Sequence, residues 1–300
     1  QEFLPRPCRV QILAYQPNRD DRIMGRTVWY PGHMAKGKRQ LEALAGNIDL
    51  IIEVRDARAP NLSSSPLLKI FAPKIQILVV LSKADLAEEK TTRLWAEYLK
   101  SKKMPAWPLD LRKGGLSLIK KALTEKKPAF RDLRMAVVGT PNVGKSMLIN
   151  QLVGRKAAPV GGIPGITKGV SWFKGQGFLL VDSPGILDPH SDARAHRMIS
   201  WIGSSRSQVI GNWESHASEC ISFLIKKDLW SGVENSWGIK GEGTPEDILQ
   251  KIGVRLGKLL PGGIVDTEAA GKMFMEAFAT GKLGRMSLEK PGDPPLWECL

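Results

Sequence analysis

The sequence is poor in cysteine and has neither a long apolar run nor an internal repeat. Its 300 residues include three cysteines, Cys8, Cys220 and Cys299. Their number is odd and their spacings fit no zinc pattern, which argues against a disulfide scaffold and points to a reducing compartment. No stretch of about 18 apolar residues occurs, so no membrane-spanning helix is expected. Apolar residues make up 42% and charged residues 25% of the chain, which excludes a wholly disordered or collagen-like polymer. Acidic residues are scarce beside basic ones, 30 against 44, leaving a net charge of +14. A surplus of that size attracts polyanions, with nucleic acid the leading class of partner.

The first residues lack the apolar core of a secretory signal and show neither helical nor strand periodicity. Residues 1–25 are therefore expected to be an unstructured or artefactual extension, of which 1–23 are artefactual or dispensable and Met24 is the natural start. Beyond it, residues 33–46 read as a helix, and Ile48 to Val54 and Ile75 to Leu81 as buried strands. Residues 88–100 read as an amphipathic helix, 105–110 as a short strand and 116–123 as a helix. Met135 to Val138 reads as a further strand and Lys145 to Leu152 as its helix. Val170–Phe173 and Phe178–Val181 read as a hairpin. Strands alternating with helices imply an α/β fold with a mostly parallel sheet. The pattern changes near residue 190, after which helices are expected at about 193–203, 214–226, 245–259 and 266–279. The expected organisation is a nucleotide-binding domain over 26–189, an all-helical domain over 190–290 and a tail over 291–300.

Gly139-Thr-Pro-Asn-Val-Gly-Lys145-Ser146 matches G-x-x-x-x-G-K-[ST]. It follows an apolar strand and opens a helix, the context that a phosphate-binding loop requires. Its glycines let the backbone curl around phosphate oxygens, and the helix amino end adds partial positive charge. Pro141, Asn142, Val143 and Gly144 form the cradle. Lys145 would reach the β- and γ-phosphates, and Ser146 would hold Mg²⁺. Downstream, Asp182-Ser-Pro-Gly185 closes a strand. Asp182 is the candidate metal carboxylate, and the Gly185 N–H a candidate γ-phosphate sensor. Thr167, between the two motifs, is the candidate switch threonine that binds Mg²⁺ when the γ-phosphate is present.

A guanine-reading loop of the form [NT]-K-x-D supplies an Asp that accepts from the guanine N1–H and N2 amine, donors that adenine lacks there. Two candidates exist, Ser82-Lys83-Ala84-Asp85 and Ile225-Lys226-Lys227-Asp228. The first is favoured, because Ile225 cannot hydrogen-bond and the run before it fits a helix as well as a strand. That choice places the base reader upstream of the phosphate binder. In an open parallel sheet the ligand sits outside the carboxyl ends of the strands, so a circularly permuted order delivers the same loops to the same crevice.

Trp29-Tyr-Pro-Gly-His-Met-Ala-Lys36, Asp56-Ala-Arg58-Ala-Pro60, Gly139–Ser146, Pro164-Gly-Ile-Thr167 and Asp182–Gly185 together resemble the YlqF/RbgA family of circularly permuted GTPases, over roughly residues 26–290. The resemblance implies a GTPase that binds GTP and GDP and assists late assembly of the large (50S) ribosomal subunit. It implies that the precursor and its rRNA are the partners, touched in part by the helical domain. It implies a cytoplasmic bacterial location, with the mitochondrial matrix as the alternative, and a monomer away from the ribosome. His33, in the Trp-Tyr-Pro-Gly-His stretch, is the implied catalytic residue, since Ile186 stands where a water-orienting Gln is found in other GTPases and cannot orient water. Asn142 implies K⁺ beside the phosphates. Two departures stand out. The family has Asn where this chain has Ser82, a hydrogen bond worth roughly 0.5–1.5 kcal/mol. Pro108-Leu-Asp-Leu-Arg112 lies where the base-seating loop falls but matches it poorly, and no residue is assigned there. The competing reading is a non-catalytic RNA-binding assembly protein with a degenerate nucleotide site.

Residues 100–134 hold eleven basic residues and three acids, a candidate RNA-facing surface whose binding weakens with salt. Lys36, Lys38 and Arg39 form a second cluster beside His33. Trp201, Trp213, Trp230 and Trp237 are candidates for stacking on bases, though core positions in the helical domain are the simpler expectation.

Overall fold

A computed structural model describes residues 39–71, 75–154, 159–160, 172–183, 185, 187, 193–204 and 212–298. In chain order, helical residues 39–44 (α1) lead through a 3₁₀ turn, Ala45–Asn47, to β1 (Leu50–Asp56). Next come α2 (Leu68–Phe71), β2 (Gln76–Ser82), α3 (Glu89–Ser101), β3 (Ala106–Leu109) and α4 (Ser117–Glu125). Then follow β4 (Leu133–Gly139), α5 (Lys145–Val153), β5 (Pro159–Val160), β6 (Trp172–Lys174) and β7 (Phe178–Asp182). Among the described residues five α-helices follow, α6 (Ala193–Trp201), α7 (Trp213–Lys226), α8 (Ser231–Trp237), α9 (Pro245–Arg255) and α10 (Thr267–Thr280), and then a 3₁₀ turn, Leu296–Glu298.

The strands form one seven-stranded sheet in the order β3-β2-β1-β4-β7-β6-β5. β3, β2, β1, β4 and β7 run parallel, and β6 and β5 extend one edge in antiparallel fashion. The central strands are covered on both faces, which is why they read as apolar runs rather than alternations. Along β1 the side chains still divide by parity. Leu50, Ile52 and Val54 pack with Leu123 of α4 and Leu148 of α5. Ile51 packs on the other face with Leu41 and Leu44 of α1. Glu53 and Arg55 follow Ile51 in phase and are buried as an ion pair, Oε2 to Nη2 2.6 Å.

The helices beyond residue 193 share a separate apolar cluster, which also takes in Ala59 and Leu62 from the loop after β1. Trp201 and Trp230 are buried in it, and Trp213 and Trp237 pack against it. Trp201 and Trp230 are thus core residues, as the simpler expectation had it, and Trp213 and Trp237 are half-buried beside them. α9 begins on the expected signals: Thr244 and Asp247 form a reciprocal capping box, with Pro245 in the first turn. α8 is a helix the sequence did not announce. It has seven residues, two of them Gly232 and Asn235, and tertiary packing holds it. A Cβ on Gly232 would lie 2.3 Å from the Leu283 carbonyl oxygen. Most of the stretch read as a tail is described, and there Leu296 is buried in the helical cluster.

Candidate functional site

The loops that leave the carboxyl ends of β1, β2, β4 and β7 converge at one edge of the sheet. The P-loop follows β4 because Gly139 lets it turn there: a Cβ on that glycine would lie 2.6 Å from the Val54 carbonyl oxygen. Asn142 (φ +55°) and Gly144 (φ +104°) take left-handed backbone, curling the loop into α5. A Cβ on Gly144 would sit 3.0 Å from Leu111 Cδ1, so the loop over 108–112 packs directly on the P-loop.

The Lys145 ammonium donates to the carbonyls of Gly139 (3.1 Å) and Thr140 (2.7 Å), across the mouth of the cradle. Burial lowers its pKa to about 8, against the pull of Asp182, which favours the charged form. Asp182 lies exposed at the mouth, yet the protein around its carboxyl raises its pKa while Lys145 lowers it. Gly185 completes the enclosure. A Cβ there would come within 2.8 Å of Pro141 Cα and 3.0 Å of Lys145 Nζ, so the glycine of Asp-x-x-Gly rests on the P-loop itself. The Ser146 side chain is exposed at the start of α5. One carboxylate and one hydroxyl at a phosphate cradle are hard oxygen donors of the kind Mg²⁺ takes together with nucleotide phosphates.

The base-reading loop arrives from β2. Ser82 is buried, and its hydroxyl donates to the carbonyl oxygens of Val143 (2.6 Å) and Arg55 (3.0 Å). The sequence reading counted this hydroxyl as a hydrogen-bonding group of the base loop without naming its partner. The short side chain binds the base loop to the P-loop, 61 residues further along the chain. Lys83 has φ +53°, and its ammonium meets Asp56 Oδ2 at 2.9 Å and the Ile202 carbonyl at 3.3 Å. The Ala84 N–H donates to the Leu109 carbonyl at 3.2 Å. The Asp85 carboxylate pairs with the Arg112 guanidinium, which is also held by Asp110 at 3.1 Å. The rival base loop is excluded by its setting: Ile225 and Lys226 end α7, far along the chain from any strand of the sheet.

Sequence reasoning gave Asp56 and Arg58 no role beyond resemblance, and both are central. The Asp56 carboxylate is wholly buried. It accepts from Arg58 Nε (3.0 Å) and Nη2 (2.9 Å) and pairs with Lys83. Burial alone would raise its pKa, but the Arg58 and Lys83 charges hold it below the ordinary carboxylate value. Arg58 spends its remaining donors on carbonyls at the ends of two helices: Ile202 (3.0 Å), Phe278 (3.3 Å) and Ala279 (3.1 Å). A cation there suits the partial negative charge of a helix carboxyl end. Asn142 makes a parallel contact, from Nδ2 to the Gly203 carbonyl at 3.0 Å. The turn after α6 is thus gripped from the β1 loop, the base loop and the P-loop. A signal was present in the sequence: four charges, Glu53, Arg55, Asp56 and Arg58, crowd the end of a central strand, where charge requires buried partners. His33 and Thr167 lie outside the described residues.

Comparison with known proteins agrees with this geometry. The family described as 50S ribosome-binding GTPase matches residues 134–235. Ribosome biogenesis GTPase A of Thermotoga maritima is 35% identical over 268 residues, covering 88% of this chain and 95% of that protein. The protein of the same name from Bacillus cereus is 32% identical over 280 residues, covering 88% and 93%. The GNP-bound structure of YlqF from T. maritima superposes with a TM-score of 0.62 at 30% identity, covering 86% of this chain and all of that one. A GDP-bound YlqF structure gives the same TM-score at 29% identity, covering 85% of this chain. With its base loop ahead of its P-loop on one continuous sheet, this chain belongs to the ribosome biogenesis GTPase A (YlqF/RbgA) family.

Proposed function

We propose that this chain binds and hydrolyses GTP while assisting late assembly of the large ribosomal subunit through contacts with rRNA. The observation that carries the reading is the hydrogen bond from the Ser82 hydroxyl to the Val143 carbonyl, which sets the base loop against the phosphate cradle. On binding, the β- and γ-phosphates take over the Lys145 ammonium from the Gly139 and Thr140 carbonyls, and anionic oxygens keep it protonated. Asp85 exchanges Arg112 for the N1–H and N2 amine of guanine. Ser146, Thr167 and Asp182 would hold Mg²⁺, which supplies charge neutralisation at the phosphates. Asn142 is the candidate K⁺ ligand, and this use would release its amide from Gly203.

Hydrolysis itself is assigned to a site completed on the particle. His33 is the proposed water-orienting group, and the helical region 190–290 is the proposed rRNA contact in the cytoplasm of a bacterium. Contact with the precursor then stimulates hydrolysis, and GDP releases the protein. The test is GTP hydrolysis by the whole chain with and without 50S precursors, in K⁺ and in Na⁺, for the wild type and His33→Ala. The expected result is stimulation by particles and by K⁺, with hydrolysis lost and GTP binding kept in the variant. RNA binding without nucleotide binding or hydrolysis would instead establish the degenerate-site reading.

A further inference from the structure

The opposite, amino-terminal edge of the sheet carries a surface that the nucleotide chemistry does not use. There α4 ends, the segment 126–132 leads into β4, α5 ends, and the β6–β7 turn passes over Gly175 and Gly177. Lys120, Lys121, Lys126 and Lys127 stand close in sequence on α4 and just after it, opposed locally by Glu125 alone. None of the four lysines forms an ion pair with another described residue. Arg112 and Arg131, by contrast, are neutralised by Asp85 and Asp49. The four ammonium groups therefore present unbalanced charge to solvent.

Two further features go with the charge. Phe130 is 100% exposed, and no described side chain covers it. Burying a phenyl ring would contribute roughly 1.5–3 kcal/mol, so its position is not explained by folding. Beside the lysines lies a cavity of about 330 Å³, lined by Lys120, Lys127, Thr124 and Gln176 over an apolar floor that includes Leu123 and Phe178. The Lys127 stem lies over Gly177, within 3.2 Å of where a Cβ would stand, which places its ammonium at the rim.

We propose that this edge binds single-stranded RNA, with Phe130 as a stacking platform, the cavity as the seat of one unstacked base, and the four lysines as phosphate contacts. The chemistry favours RNA over a membrane, because one phenyl ring is too little apolar area for insertion. It favours RNA over an acidic peptide, because the cavity offers a base-sized apolar floor with an amide, Gln176, at its rim. The inference deepens the ribosomal reading and rests on it for the source of the RNA. Because the surface lies at the far edge from the nucleotide loops, RNA and GTP can be bound together.

The test is fluorescence anisotropy with a labelled 12-nucleotide single-stranded RNA and with the same sequence as a duplex, using the whole chain across a salt series. Single-stranded RNA is expected to bind more tightly than duplex. Phe130→Ala is expected to weaken it by about 5- to 150-fold, the effect of losing one stacked base. Lys120→Ala with Lys127→Ala is expected to lower the salt slope by about 1.4, two phosphate contacts on a single strand. GDP binding by both variants should equal that of the wild type, which separates this proposal from the nucleotide site. Unchanged RNA affinity in Phe130→Ala, a preference for duplex, or equal competition by polyglutamate would overturn it.

Discussion

The Ser82 hydroxyl donates to the Val143 carbonyl at 2.6 Å, tying the proposed base-reading loop to the P-loop. It also donates to the Arg55 carbonyl, so β1, β2 and the P-loop meet at one buried side chain. Nothing in the covalent order requires this meeting. The parallel register of β2, β1 and β4 brings it about.

Ser82→Ala removes that donor and leaves the buried Val143 carbonyl without its side-chain partner. A stability loss of about 1–3 kcal/mol is expected, with GDP and GTP weakened by the same factor. Denaturant unfolding and calorimetric titration check this. A loss confined to GTP would place Ser82 at the γ-phosphate side instead.

Arg58→Met leaves the wholly buried Asp56 with Lys83 and the backbone N–H of residue 58, without the guanidinium, and strips three carbonyls at helix ends. Breaking a buried pair from one side costs about 3–5 kcal/mol. The expected outcome is a lower thermal midpoint together with faster hydrogen exchange at 198–204 and 276–282. Unchanged exchange there would show that Arg58 does not join these helices to the sheet.

The Arg112–Asp85 pair is the reverse case. Arg112 is 66% exposed on its side chain, and a pair in that setting is worth about 0–1 kcal/mol. Arg112→Ala is therefore expected to raise GDP affinity by about fivefold at most, measured by titration. A marked fall in affinity would show that Arg112 contacts the nucleotide itself.

Glu289 gives the clearest dependence on pH. It is buried, and its carboxylate accepts from the N–H groups of Asn61 and Leu62. Burial pushes its pKa up to about 7, partly offset by those two bonds. A carboxyl raised in the folded state holds a proton that the unfolded chain has already released. Its contribution is therefore full below the unfolded value and is lost as pH rises through about 7. Stability relative to Glu289→Gln should fall between pH 5 and pH 8, because the amide keeps an acceptor and carries no charge. Parallel pH profiles of the two proteins would remove this assignment.

The sheet was legible because strands buried on both faces leave continuous apolar runs, as Leu133–Gly139 does. The phosphate cradle was legible because its glycines and lysine are local. The Asp56–Arg58 clasp was not, since the Arg58 partners Ile202 and Phe278 lie 144 and 220 residues away. The partners of Ser82 were not legible for the same reason: the Val143 and Arg55 carbonyls come near it only in the folded sheet. α8 escaped notice because seven residues carry too little periodicity to stand out from a loop.

The most direct measurement is competition at the nucleotide site: displacement of a fluorescent GDP analogue by GDP and by ATP, for the wild type and for Asp85→Ala. If Asp85 and Lys145 close on one bound molecule, GDP displaces the analogue from the wild type and ATP does so only at far higher concentration. The gap then shrinks by about 10-fold or more in the variant, which lacks hydrogen bonds to a charged acceptor worth about 1.5–3 kcal/mol. ATP displacing the analogue from the wild type as readily as GDP, or an unaltered gap in Asp85→Ala, would contradict it.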